Sequence, residues 1–313
     1  MSKNKKIDIS KIRTYPFEKR ATKSGTDLFA EIPQNNWKID DFLNGLPGYL
    51  KAVEIRNLID DIYKARQNKK ACIWMMGAHF LKVGLSPIII DLINTGFITH
   101  LALNGAGLIH DYELAFHGRT SEDVEDNLES GMFGMVAETP EYLNSIVNNA
   151  DVDCNLGETA GESFNESNPK WIDISVIAAA KKAGIPLTIH VAIGSDTIHQ
   201  HPSFDAAKWG KGSGNDFLVL AESCKNLNNG GVVMNIGSAV ILPEVFLKAL
   251  NMARNIYGDI SGFSAANIDM IQHYRPVTNV VARPTSKSGI QYTLTGHFEI
   301  LLPLIAWGLN SKT

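Results

Sequence analysis

Seven of the nine histidines, His79, His100, His110, His190, His199, His201 and His297, fall where an apolar run ends or a helical pattern begins. Imidazole titrates near neutral pH and ligates metals through a neutral nitrogen, so histidines gathered on one rim suit acid–base chemistry, substrate contact or a metal. The densest stretch is His190-Val191-Ala192-Ile193-Gly194-Ser195-Asp196-Thr197-Ile198-His199-Gln200-His201. His199 and His201 stand two apart and could reach one centre from an extended loop, with His190 as a third ligand. That spacing is not the HExxH of a zinc helix, and structural hydrogen bonding is the plain alternative for all three. Ser195 lacks the GxSxG elbow of a serine hydrolase.

A second group follows another apolar run, in Asn104-Gly105-Ala106-Gly107-Leu108-Ile109-His110-Asp111. Glycines at a strand-to-helix turn let backbone N–H groups approach a phosphate at the helix N-terminus. The dinucleotide fingerprint GxGxxG is incomplete here, because His110 occupies the place of its third glycine. The positive end of the helix dipole favours a carboxylate and a neutral imidazole, so His110 and Asp111 make a base with an ionised neighbour. Asp111 could instead satisfy free N–H groups of a helix. Further on, Glu158 and Glu162 stand four apart on a helical pattern, able to hold a cation or amine, or simply to face solvent.

These groups need a scaffold that brings strand ends together. From residue 71 short apolar runs ending near glycine alternate with helix-length segments, the pattern of a parallel sheet covered on both faces. We expect strands at 71–75, 98–103, 185–191, 232–235, 260–265, 279–282 and 291–294. Helices are expected at 86–93, 172–182, 217–227, 243–254 and 297–307. Helical spacing also runs from Ile39 to Ala65, broken at Pro47-Gly48. Residues 1–35 are basic and interrupted by Pro16 and Pro33, and are expected to form an extended arm, leaving 36–313 as a single Rossmann-like α/β domain with a helical lead-in. In such sheets ligands bind outside the carboxyl ends of the strands, where the runs quoted above fall.

The 313 residues exceed the roughly 150 of an average domain, and 44% apolar with 20% charged residues excludes a disordered chain. A net charge of −4 gives no global field for nucleic acid or anionic lipid, so neither is expected as a partner. Cys72, Cys154 and Cys224 form no CxxC pair, which suits a reducing compartment. No apolar stretch follows the N-terminal lysines and none reaches the roughly 20 residues of a membrane span, so a cytoplasmic protein is expected.

The order and spacing of these motifs resemble the deoxyhypusine synthase family from about Ala71 to the C-terminus. The residues that carry the likeness are Gly77–Leu85, Asn104–Asp111, Gly194–Asp196, Gly231–Ser238, Ser264–Asn267 and Phe298–Leu304. The resemblance implies a Rossmann-like core, bound NAD, a tetramer and transfer of an aminobutyl group from spermidine. It places cofactor contacts on His79, Lys82, Asn104, Gly105, Ala106, Gly107, Gly194, Ser195, Asp196, Gly237, Ser238, Ala265, Ala266 and Asn267. Two departures stand out. The family's paired glutamates are replaced by Ile109 and His110, and its nucleophilic lysine aligns near Arg283, with Lys287 a few residues on. Arginine stays protonated and forms no imine, so the family's own reaction requires Lys287 to take the lysine's place. The sequence therefore points to a deoxyhypusine-synthase-like, NAD-binding transferase or oxidoreductase acting on a small amine or polar metabolite. Its catalytic candidates are His110, Asp111, His190, His199, His201 and Lys287. A metal-dependent hydrolase or lyase built on His190, His199 and His201 is the alternative, and a non-catalytic ligand-binding protein a third.

Overall fold

The computed structural model describes residues 4–151 and 153–313, so Met1 to Lys3 of the expected arm lie outside the described residues. Six strands form one parallel sheet: β1 (Cys72–Met76), β2 (His100–Asn104), β3 (Leu187–His190), β4 (Val232–Ile236), β5 (Ser264–Asp269) and β6 (Ile290–Thr295). Their order across the sheet is β3-β2-β1-β4-β5-β6, and every neighbouring pair is parallel.

The helices in chain order are α1 (Ile39–Gly45), α2 (Leu50–Gln67), α3 (His79–Lys82), α4 (Ser86–Asn94), α5 (Gly105–His117), α6 (Val124–Leu128) and α7 (Glu138–Asn149). They continue with α8 (Leu156–Ser167), α9 (Val176–Ala183), α10 (Ala206–Cys224), α11 (Ile241–Tyr257), α12 (Tyr274–Pro276) and α13 (Phe298–Asn310). Strand β1 is buried throughout and divides its side chains between two cores, as alternation along a strand requires. Trp74 packs into the core shared with α2, α4, α5, α9 and α13, and Ile73 and Met75 into the core shared with α10 and α11. The expected α/β sheet with helices on both faces is what folds.

Three expectations about the elements need correction. Residues 279–282 are not a strand but part of a π-helical turn, Val277–Ala282, in which Val280 and Val281 are buried. A short apolar run has no period by which strand and helix can be told apart. Strand β5 starts four residues later than Ile260, because its Ser-Ala-Ala-Asn sequence has little intrinsic strand preference and pairing with β4 and β6 decides it. Helix α10 begins well before residue 217, capped by Asp205, which accepts from Ala207 N (2.9 Å) and Lys208 N (3.1 Å). Its glycines hide it in the sequence. At Gly212 any Cβ would lie 2.7 Å from Leu156 Cδ2, so the small residue is what lets α8 and α10 approach.

The described part of the arm carries three short 3-10 turns and is exposed along residues 4–36 except at Gly25. Backbone bonds from Glu31 N to Gly45 O (2.9 Å) and from Gly48 N to Leu28 O (2.9 Å) tie its end to the body.

Candidate functional site

The strand order is that of a dinucleotide-binding Rossmann sheet, whose topological switch lies between β1 and β4. At that point the two strands' turns meet so closely that a Cβ on Gly77 would lie 2.2 Å from Gly237 O. Gly237 has φ +65, a conformation that favours glycine. Beside it Asn235 Nδ2 donates to Ser238 O (2.9 Å) and, across the β4–β5 ladder, to Asn267 Oδ1 (2.8 Å). Asn267 in turn donates to Gln272 Oε1 (2.8 Å), and Ser238 Oγ accepts from Leu242 N (3.3 Å). Asn235 Oδ1 is buried without a partner. His79 sits exposed at the rim, edge-on to Phe298, and Lys82 is exposed one turn along.

The glycine turn of residues 104–107 follows β2, not β1, so it is not at the position where a Rossmann sheet holds the pyrophosphate. Gly107 N is already taken by Asn104 Oδ1 (3.0 Å), the helix cap. A Cβ on Gly107 would meet Leu103 and Asn104, so this glycine serves packing of helix on strand. Gly105 faces a carboxylate instead, since its Cβ would lie 2.0 Å from Asp196 Oδ2.

One turn into α5, His110 Nδ1 lies 2.6 Å from Thr120 Oγ1, and that hydroxyl hydrogen bonds to Glu113 Oε2. The single hydroxyl proton goes to the carboxylate, so Thr120 accepts from His110, which assigns the proton to Nδ1 and leaves Nε2 as the base. Thr139 Oγ1 also reaches Glu113, at 3.3 Å. Burial pushes the Glu113 carboxyl up, but the bonds from His110, Thr120 and Thr139 outweigh it and hold the group below the usual carboxylate range. A base oriented by a carboxylate through one intervening group is an arrangement suited to proton transfer. Glu113 had no role in the sequence reading, although its i,i+3 spacing from His110 puts both on one helix face. Thr120, beyond the helix end, carries no sequence signal.

The loop after β3 reaches the start of the same helix, where Asp196 faces Gly105. His199 Nδ1 accepts from Gly194 N (3.0 Å) and Asp196 N (3.2 Å), so its proton is on Nε2. That Nε2 stands 4.0 Å from Asp196 Oδ2, and both atoms are buried without a hydrogen-bond partner. Ser195 Oγ bonds to Ala192 O (2.7 Å) in the exposed tip of the loop. Burial lifts the Asp196 carboxyl to about 6, partly opposed by nearby His110, and burial lowers the affinity of His199 for a proton. His201 turns away to Ser203 (Nδ1 to Oγ, 2.7 Å).

Other candidates are elsewhere. Asp111 is fully buried, and its carboxylate accepts from Ser175 Oγ, Val176 N (2.9 Å) and Ile177 N (3.4 Å), the N-terminus of α9. Its partners are the donors that open another helix, which gives this residue a structural role beside the catalytic one expected of it. Lys287 is exposed just ahead of β6, beside Ser288, whose hydroxyl accepts from Gly262 N ahead of β5. That is the opposite end of the sheet, so Lys287 does not stand in for the family lysine. Ala265 and Ala266 lie inside β5 in opposite cores, which removes them as cofactor contacts and leaves Asn267 nearer the strand end. His190 Nε2 bonds Thr188 Oγ1 (3.0 Å), which also meets His100 Nε2 (2.9 Å), and burial takes both imidazoles down to about 3. Glu158 and Glu162 both pair with Lys181 of α9 (2.9 and 2.6 Å), so their cation is the chain's own. His190, His199 and His201 thus have separate partners, and among the described residues no group of three or more His, Cys, Asp and Glu side chains is placed to hold a metal ion.

The buried Asp196 makes a pH prediction. Its folded pKa lies above the ordinary 3.8, so the fold favours the protonated form. The favourable contribution is complete below about pH 4 and is lost as pH rises to about 6. Asp196→Asn should therefore be more stable than the parent above that window, by on the order of 2 kcal/mol, with the gap closing toward its acid end. Guanidinium melts at both ends of the window check this, and a difference independent of pH would contradict it.

No protein-family model and no curated protein matches the chain. Solved structures do. AgrE, in a ternary complex with ornithine and NAD+, superposes with TM-score 0.56 at 15% identity over 83% of this chain. ArgZ, an arginine dihydrolase of the ornithine–ammonia cycle in cyanobacteria, gives 0.53 at 15% identity over 86%. This chain spans about a third of the length of either, 33% and 34%. A candidate deoxyhypusine synthase from Entamoeba histolytica gives TM-score 0.50 at 13% identity, covering 96% of this chain and 97% of its own. At these identities the likeness is one of fold: the chain shares its parallel α/β architecture with deoxyhypusine-synthase-like proteins and with NAD-binding AgrE.

Proposed function

We propose that the protein is a deoxyhypusine-synthase-like enzyme that binds NAD and acts on a small amine, with His110 as its base. The observation that carries this is the His110–Thr120–Glu113 relay, set on the helix that follows β2, with a buried, unpartnered carboxylate at Asp196 over the start of that helix. The fold's likeness to AgrE, which binds NAD+ and ornithine, supports the cofactor and the substrate class.

The residues fit a dinucleotide at the switch point better than at α5. Gly77 packs on Gly237 and Ser238 there, and Asn235, near the end of β4, keeps an orphaned Oδ1. At the start of α5 the anion position is filled by Asp196 itself. When bound, NAD would accept a hydride from the carbon that carries the amine. His110 Nε2 takes the proton from the substrate nitrogen, and Glu113, through Thr120, keeps His110 in the required tautomer. Asp196 offers a counter-charge to an ammonium group, and a cation there would lower its raised pKa. With Lys287 at the far end of the sheet, transfer through a lysine imine at that residue is not part of the proposal. Exposed Ile7, Ile9, Ile12, Tyr15 and Phe17 on the arm support an assembly of several copies, which sedimentation can test.

Ligand binding to the native state raises the melting temperature by mass action. NAD should therefore raise it in a concentration-dependent way, and primary amines such as ornithine, putrescine or spermidine should then yield NADH. Absence of any shift at millimolar NAD would remove the cofactor from the proposal.

A further inference from the structure

At the end of the sheet opposite the candidate site, the start of β2 and the end of α2 enclose an open cavity of about 430 Å³. Arg66, Lys69, Lys70, Thr99, His100 and Ser223 line it, and no Asp or Glu does. None of the three cations joins an ion pair among the described residues. Three unneutralised positive charges around one concavity are conspicuous in a chain whose net charge is −4.

Two of the three cations are held in place. The Arg66 guanidinium lies over the Phe97 ring, 4.7 Å from its centroid, and Lys70 Nζ donates to Asn228 O (3.0 Å). Lys69 adopts φ +52, which turns the chain sharply after α2 and brings its side chain to the same cavity. The floor is polar: His100 Nδ1 meets Ser223 Oγ (2.8 Å) and Thr99 Oγ1 accepts from Cys72 N (2.8 Å). Cations in the last turn of a helix complement its dipole, and Arg66 is one of these. The dipole does not account for two further lysines beyond the helix converging on a space with no carboxylate.

We propose that this cavity binds a small metabolite carrying one or two phosphoryl groups, at a site distinct from the candidate active site. A guanidinium fork and two ammonium groups match the oxygens of a phosphate or pyrophosphate. The volume is that of a small-molecule site, larger than an inorganic ion fills. The small, localised basic patch in an acidic chain favours a metabolite over a nucleic acid strand.

Pyrophosphate is the probe, titrated by calorimetry at physiological ionic strength, with inorganic phosphate in parallel. The parent should bind pyrophosphate saturably, and phosphate more weakly. The double variant Lys69→Asn, Lys70→Gln should weaken pyrophosphate by about tenfold or more, asparagine being chosen because it tolerates the positive φ. Lys181→Gln, on another face, should leave binding unchanged. No saturable binding, equal binding by the double variant, or tighter binding of a single-stranded oligonucleotide would overturn the proposal. The double variant should keep the NAD-induced shift, so failure of this site and failure of the cofactor reading are separable. If a folded double variant loses both ligands together, the cavity is no separate site and the proposal is overturned.

Discussion

His110→Ala is expected to lower amine-dependent reduction of NAD by about 10²–10⁴-fold, the usual contribution of a positioned base, while the melting temperature moves by a few degrees at most. The side chain is partly buried, at 14% exposure, and its one strong bond is to Thr120, so its removal leaves no core cavity. Glu113→Gln separates positioning from catalysis. The amide can still accept from Thr120, so the tautomer of His110 survives, and the loss of rate should be smaller than in His110→Ala. His199→Ala should act differently, because its Nδ1 holds the backbone of Gly194 and Asp196 and its ring packs on Phe204 at 4.5 Å. It should loosen the loop and raise KM more than it lowers kcat. Full activity in His110→Ala would remove the relay as the centre of the site.

How much of this was legible depended on whether a residue's partners lie close in sequence. The parallel α/β sheet was readable because its strands are near-continuous apolar runs punctuated by glycine, as strands buried on both faces must be. The pairing of Asn235 with Asn267 was not, since it exists only through the β4–β5 register. The His110–Glu113 half of the relay has a local spacing that could have been read, whereas Thr120 joins it through a loop. Lys287 was misplaced for a related reason. Its alignment near a family lysine follows order along the chain alone, although the expected strand at 291–294, like β6, already starts after it. The 190–201 stretch looked like one cluster because its histidines are close in sequence. In the fold His190 belongs to a buried hydrogen-bond chain, His199 to the loop's own backbone and His201 to Ser203.

Asp111→Ala should be among the most destabilising single substitutions in the chain. Its carboxylate is inaccessible to solvent and answers two backbone N–H groups in the first turn of α9, together with the Ser175 hydroxyl. Those donors have no intrahelical partner, so removing the acceptor strands them in the core. Ser175 Oγ can still cap through its bond from Ala178 N (3.0 Å), which answers only one donor of that turn. Leaving buried donors unsatisfied costs about 1–3 kcal/mol each, and a total of about 3 kcal/mol or more is expected. In a protein of this size that corresponds to a fall in melting temperature of roughly 5 °C or more. Asp111→Asn should fall between, because its carbonyl oxygen can accept from one donor while its amide opposes another. The same pair of variants decides between the two roles open to this residue. Variants that keep the parent's melting temperature and lose turnover would return Asp111 to the active site beside His110. A large loss of stability, with the specific activity of the folded fraction retained, fixes it as the residue that anchors α9 to α5.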